Sequence, residues 1–219
     1  VIVYGMPKAN YTNPAEGCAP VCTKLKDQTS VPNGESIATW QWNTTGGTPA
    51  LSSDANPSFC WNTPGTYDVQ LIVSTNHGCT DTLVTPQYIH VYSWPTADFC
   101  VAPDIAPNSN PVFNFCDQWS TNVTNWEWDF GDNTQDTTLT DPAHSYSAAV
   151  TNNDFYMYTI CLKVETQHAC WDTICKSVKL LPEFTFYIPN TFTPNGDHLN
   201  DLFYGKSRGV TVSYTHLRA

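Results

Sequence analysis

Charge is scarce in this sequence. Only 13% of its 219 residues are charged, and Lys plus Arg number 9 against 20 Asp plus Glu. The cations are scattered and the formal net charge is -11. This excludes a nucleic-acid interface, which needs clustered positive charge. Long apolar runs are missing as well, and no stretch approaches the roughly 20 residues of a membrane-spanning helix. No secretory leader is visible. Val1-Ile2-Val3-Tyr4 reads as a strand rather than a chain start, so a longer protein is expected. A disordered composition is absent too, because aromatic residues make up 13% and hydrophobic residues 41%. A chain of 219 residues is long enough for two domains of ordinary size.

Zinc-type spacing is also lacking among the 9 cysteines. Only Cys18 and Cys22 are close in sequence, and no second close pair faces them. Disulfides fit better, and they imply an oxidising, extracytoplasmic location.

What the sequence does have is alternation. Trp126-Glu127-Trp128-Asp129-Phe130-Gly131-Asp132 switches between aromatic and polar residues and breaks at a Gly flanked by Asp. That predicts a half-buried strand running into a tight turn. A weaker copy, Trp40-Gln41-Trp42-Asn43, is followed by Gly46-Gly47. The copies belong to a longer repeat, since Pro7, Pro95 and Pro182 stand 88 and 87 residues apart. Within it, Val3-Tyr4 matches Val91-Tyr92 and Asp27-Gln28 matches Asp117-Gln118. Tyr67–Val73 matches Tyr158–Val164, and each turns at a His (His77, His168) with a Cys two residues later (Cys79, Cys170). Strands rich in β-branched and aromatic residues, with no convincing helix, predict two antiparallel sandwiches.

Hairpin symmetry suggests two bridges. Cys161 and Cys175 are equidistant from His168, and Cys100 and Cys116 are centred on Asn108. Residues directly opposed in a hairpin have close Cβ atoms.

The run Trp-x-Trp-Asp-Phe-Gly-Asp resembles the signature of PKD domains, which are small extracellular β-sandwiches. The resemblance covers roughly residues 7–181 and is stronger in the second repeat. It implies an all-β fold of tandem immunoglobulin-like (PKD) antiparallel sandwiches in a linear array. The expected boundaries are 1–5 for the last strand of a preceding domain, 6–93 for the first sandwich and 94–182 for the second. Gly17-Cys18-Ala19-Pro20 with Gly78-Cys79-Thr80-Asp81 resembles a cysteine pair of bacterial PKD domains, which implies a Cys18–Cys79 bridge. Its loop of about 60 residues is worth ~4 kcal/mol by chain entropy. Cys22 with Cys60 is then what remains, and Cys170 is left unpaired. An odd cysteine can be free, pair outside the sequence or bond a neighbouring chain.

The stretch from Phe184 to Phe203 contains Phe192-Thr193-Pro194-Asn195-Gly196-Asp197-His198-Leu199-Asn200-Asp201. It resembles the opening of the gliding-motility-associated C-terminal domain of Bacteroidota, which implies export by type IX secretion. Residues 183–209 are assigned to that start. Residues 210–219 resemble translated adapter sequence and are expected to be a non-native tail.

Two uses are open for Asp129, Asp132, Asn133 and Asp136: oxygen ligands for Ca²⁺, or satisfaction of turn N–H groups beside a positive-φ Gly131. Asn195, Asp197, Asn200 and Asp201 have the spacing of a calcium-loop start but lack its bidentate Glu. No other cofactor is indicated. The Trp-x-Trp rings share one strand face and point to a core, although exposed aromatic rings also stack on sugars. Trp61, Trp94, Trp119 and Trp171 are expected to be partly exposed. Thr82, Thr137 and Thr173 follow Asp in a pattern resembling O-glycosylation sites of the same phylum, and they also read as strand starts.

No nucleophile elbow or Cys/His arrangement is present, so the chain reads as no enzyme. Its expected role is a cell-surface spacer or adhesin. Its expected partners are other copies or domains of the same protein, surface polysaccharide or another cell, and the secretion machinery. Two alternatives are an extracellular filament subunit assembled by strand exchange and a binding appendage of a secreted hydrolase.

Overall fold

The structure is a computed structural model. It describes residues 3–32, 34–147 and 155–182, together with the backbone of 185–187 and 206–208. Asn195, Asp197, Asn200, Asp201 and the tail 210–219 lie outside the described residues. The chain divides into two compact units. Unit 1 holds residues 1–95, 122–125 and 165–172, and unit 2 holds 96–121, 126–164 and 173–219.

Unit 1 is built from β1 (Tyr11–Thr12), β2 (Ala15–Cys18), β3 (Val21–Lys24), β4 (Lys26–Asp27), β5 (Ile37–Thr44), β6 (Leu51–Ser52), β7 (Ser58–Trp61), β8 (Gly65–Thr75) and β9 (Thr80–Tyr92). One sheet runs β2-β9-β8-β5-β6, while β3 pairs with β7 and β1 with β4. Alternation sets the faces. On β8, Val69, Leu71 and Val73 are fully buried, while the residues between them are less so. From β5, Trp42 enters the same core, and Leu25, Phe59 and Trp61 join it. Each such side chain stabilises the fold by about 1.5–3 kcal/mol. The Tyr11 hydroxyl, inside this core, donates to the Val69 carbonyl at 2.7 Å.

Unit 2 is formed chiefly by β10 (Cys100–Ala102), β11 (Ile105–Pro107), β12 (Val112–Cys116), β13 (Asn125–Asp129), β14 (Gln135–Asp136), β15 (Ala143–Ser145), β16 (Tyr156–Glu165) and β17 (Trp171–Leu181). Its sheets run β11-β17-β16-β13-β14 and β10-β12-β15. Trp128 sits edge-on to Phe99 at 5.1 Å and tilted against Phe115 at 5.6 Å. Tyr146 is buried edge-on to Phe113 at 5.6 Å and donates to the Phe130 carbonyl at 2.8 Å. Burial pushes its phenol far above the ordinary value. Two short strands, β18 (Thr185–Tyr187) and β19 (Lys206–Arg208), pair antiparallel.

The fold is an immunoglobulin-like β-sandwich. Among the described residues every regular element is a strand. Two expectations change. The sheets are not wholly antiparallel, because β2 runs parallel to β9 and β11 parallel to β17. Each of these pairs is separated in sequence by most of a repeat, so no hairpin forces their directions to oppose. Trp61 is not partly exposed but fully buried. It follows Phe59 on the inward face of β7, and its indole N–H donates to the Thr45 carbonyl at 3.1 Å.

Gly131 has φ +75°, and a Cβ built on it would meet the Thr159 carbonyl oxygen at 2.4 Å. Gly78 has φ +82° but open space around it. Gly131→Ala is therefore expected to destabilise unit 2 by about 2–4 kcal/mol, and Gly78→Ala to cost only about 1 kcal/mol. Urea unfolding of the two variants checks this, and equal shifts would contradict it.

Candidate functional site

The most developed local structure in unit 1 is a clasp at residues 166–170. Thr166 organises it. Its N–H donates to the Cys170 carbonyl at 2.8 Å, and its carbonyl accepts from the Ala169 N–H at 3.1 Å. Its hydroxyl oxygen accepts from the His168 and Cys170 N–H groups at 3.3 and 3.2 Å. Ala169 takes a left-handed φ of 60° to close the turn. Cys170 is thereby buried and bonded to Cys18, with Cα atoms 5.7 Å apart.

Cys18 ends β2, in register with Tyr92 of β9. The next N–H, of Ala19, donates to the Tyr92 carbonyl at 3.0 Å, and the Ala19 carbonyl accepts from the Trp94 indole at 2.5 Å. The Tyr92 and His168 rings stack at 3.5 Å with only 4° between planes. Desolvation, with the Glu16 carboxylate accepting from its hydroxyl at 3.2 Å, pushes the Tyr92 phenol up. A shallow hollow of about 360 Å³ lies against the stack, lined by Tyr92, Ser93, Asn122, Thr124, Gln167 and His168. Its walls offer rings, hydroxyls and amides.

This corrects the sequence reading. Cys18 bonds Cys170, which is therefore not unpaired, and it does not bond Cys79. The free cysteine is Cys79, half-buried. The Cys18–Cys79 pairing came from resemblance alone. The two turns are alike in sequence, and no local geometry separates Cys79 from Cys170 as the partner of Cys18. The other three bonds in the structure are Cys22–Cys60, Cys100–Cys116 and Cys161–Cys175. Cys22 stands opposite Cys60 in the β3–β7 ladder, and Cys100 opposite Cys116 in β10–β12.

The acidic turn of unit 2 is occupied by its own backbone. Asp129 accepts from the Gly131 N–H at 2.9 Å. Asp132 accepts from the Thr134 N–H at 3.1 Å and from its hydroxyl, and it lies 2.8 Å from His144 Nε2. Asp136 accepts from the Thr138 and Leu139 N–H groups at 2.7 and 3.1 Å. Asn133 takes a left-handed φ of 69°. Among the described residues no group of three or more His, Cys, Asp or Glu is placed to hold a metal ion. Thr82, Thr137 and Thr173 are all exposed. Trp94, Trp119 and Trp171 are about half exposed, at 50, 53 and 51%.

One role escaped the sequence reading. Trp40, the outer ring of its Trp-x-Trp strand, donates its indole N–H to Asp27 Oδ2 at 2.8 Å, and Trp126 donates to Asp117 Oδ2. The Asp-Gln match between the repeats was the available signal, because each of these Asp residues precedes its Trp pair by a short interval.

Residues 5–91 match the family model of the PKD domain. They cover the first repeat, whereas the fuller Trp-x-Trp-Asp-Phe-Gly-Asp run lies in the second. No curated protein matches the chain in sequence. Solved structures similar to it include the fibronectin(III)-like modules of Clostridium thermocellum CbhA, at 12% identity and TM-score 0.38, over 80% of this chain and 94% of that one. A Ca²⁺-stabilised, ice-binding adhesin of an Antarctic bacterium shares 10% identity at TM-score 0.45, over 85% of this chain and 52% of that one. The chain thus spans about half the length of that adhesin structure. A Bacteroides ovatus glucan-utilisation protein, SGBP-B, solved with a mixed-linkage heptasaccharide, shares 11% identity at TM-score 0.26, over 80% and 47%.

Two outcomes follow. Asp27→Ala leaves the half-buried Trp40 N–H without its acceptor, and a loss of about 1–3 kcal/mol is expected in thermal or urea unfolding. At Asp132, burial pushes the carboxyl up, but hydrogen bonds from Thr134 and His144 outweigh it, and the net shift is downward. A carboxyl lowered in the folded state contributes stability above its unfolded value and loses it as pH falls through the folded one. Asp132→Asn should therefore lower the urea midpoint at pH 7, with the deficit shrinking toward pH 3. A deficit independent of pH would contradict the assignment.

Proposed function

We propose that this chain is a non-catalytic segment of a cell-surface protein, serving as a disulfide-stapled spacer with adhesive capacity. The observation that carries this is the Cys18–Cys170 bond, which spans 152 residues of sequence in a chain with a PKD-type domain at residues 5–91. Closing a loop of that length is worth about 5 kcal/mol by chain entropy, and it also removes the enclosed residues from any extension of the unfolded chain. Three shorter bridges lie within or beside that loop. Four disulfides support an extracytoplasmic location, where such bonds persist. The expected partners are other copies or domains of the same protein, or surface polysaccharide. The half-exposed Trp94 and Trp119 are the rings an adhesive contact would use. Residues 183–209 are read as the start of a secretion domain of the type IX kind.

Pulling the chain by its ends tests the spacer role. With the long bridge intact, about 67 of 219 residues are free to extend, roughly 230 Å at ~3.5 Å per residue. After reduction the same chain should reach roughly 770 Å. An oxidised chain that extends to the reduced length would overturn the stapled-spacer reading. Binding to a polysaccharide panel, lost in Trp94→Ala or Trp119→Ala, would assign adhesion to those rings.

A further inference from the structure

The turn that buries Cys170 occurs twice. At residues 75–79, Thr75 N–H donates to the Cys79 carbonyl at 2.9 Å, and the Thr75 carbonyl accepts from Gly78 N–H at 3.0 Å. The Thr75 hydroxyl oxygen accepts from Cys79 N–H at 3.2 Å. At 166–170 the same three bonds measure 2.8, 3.1 and 3.2 Å. Gly78 has φ 82° where Ala169 has 60°. The cysteine closing one turn is bonded, and the cysteine closing the other is free.

A second, separate contact is also duplicated. Tyr92 stacks on His168 beside the Cys18–Cys170 bond. Tyr4 stacks on His77 at 3.8 Å and 10°, two residues before Cys79. Val3-Tyr4 matches Val91-Tyr92 in the sequence repeat, so the matching tyrosine lies on the histidine of the turn in both places. Next to Tyr92, in ladder register, is Cys18. The corresponding edge strand of the second repeat, β11, carries Ile105-Ala106-Pro107 and no cysteine.

We propose that Cys79 is the acceptor for an inter-repeat disulfide. The donor is the edge-strand cysteine of the repeat whose last strand ends at Tyr4, placed beside Tyr4 as Cys18 is beside Tyr92. The linkage is directional, since each repeat's edge-strand cysteine bonds the turn cysteine of the next, and the series ends at the repeat that has Ile105-Ala106-Pro107. In forming the bond the two thiols lose two protons and two electrons. A disulfide-bearing oxidant takes them up and leaves as a dithiol, as for the bonds already present. The inference rests on the stapled reading of Cys18–Cys170.

The test is the chain with residues 5–92 duplicated in tandem, so that a second Tyr92 stands where Tyr4 stood. This adds Cys18, Cys22, Cys60 and Cys79 once more. Peptide mapping under non-reducing conditions should find the leading Cys18 bonded to the trailing Cys79, with one free thiol per chain, the leading Cys79. Three free thiols, with Cys18–Cys170 intact in the trailing copy, would overturn the proposal, and so would multimers linked through Cys79. Loss of Cys18–Cys170 itself would instead remove the stapled reading. If the tandem chain fails to fold, the native protein decides. Cys79 bonded to a cysteine of another repeat in the same polypeptide supports the proposal. Cys79 alkylated as a free thiol, or capped by a small thiol, overturns it.

Discussion

The tethering of one indole per repeat to a carboxylate sets the register on which each sandwich depends. Side chains two apart on a strand share a face, so both rings of a Trp-x-Trp strand aim at the opposite layer. One of them, Trp42 or Trp128, is fully enclosed. The other lies at the margin with an N–H that needs an acceptor, and Asp27 or Asp117 supplies it. Asp27 ends β4, so the bond ties that strand to β5 of the five-stranded sheet, between β8 and β6. A slip of one residue would turn Trp42 to solvent and leave Asp27 without its donor.

The same use of carboxylates runs through the chain. Asp68 accepts from the Gln87 N–H, Asp81 from Ala9, and Asp141 from Asp117. Together with Asp129, Asp132 and Asp136, they hold backbone N–H groups at turns and strand crossings. Much of the acidic excess is thus spent internally, as charge-assisted acceptors for donors that the strands leave unpaired. An acidic composition here describes how the loops are held and does not imply a cation-binding surface.

The parts of the fold that depend on near neighbours were legible in the sequence. Alternation at Tyr67–Val73 gave β8 and its inward face, and hairpin symmetry brought Cys161 to Cys175. The repeat itself matched Asp27 to Asp117 before either had a role. What escaped depends on positions distant in sequence. Nothing local distinguishes Cys79 from Cys170, because both close the same turn of Thr, His and Cys. The choice between them rests on which turn meets β2. Trp61 departs from its expected exposure for a related reason. A four-residue strand shows too little alternation to declare its inner face, and only the pairing of β7 with β3 fixes it.

The free and the bonded turn also show what the disulfide does not do. Their backbone hydrogen bonds agree closely, although one cysteine carries a covalent partner and the other does not. The turn is therefore formed by Thr75 or Thr166 and by the left-handed residue before the cysteine, and the bond adds little local order. A site shaped in advance loses little conformational freedom when its partner arrives. The Tyr–His stack contributes in the same way. It can form without the bond, as Tyr4 and His77 demonstrate, and it holds the tyrosine's strand beside the turn. The stack and the hydrogen-bonded turn give the cysteine its position and orientation, and the disulfide then makes that arrangement permanent.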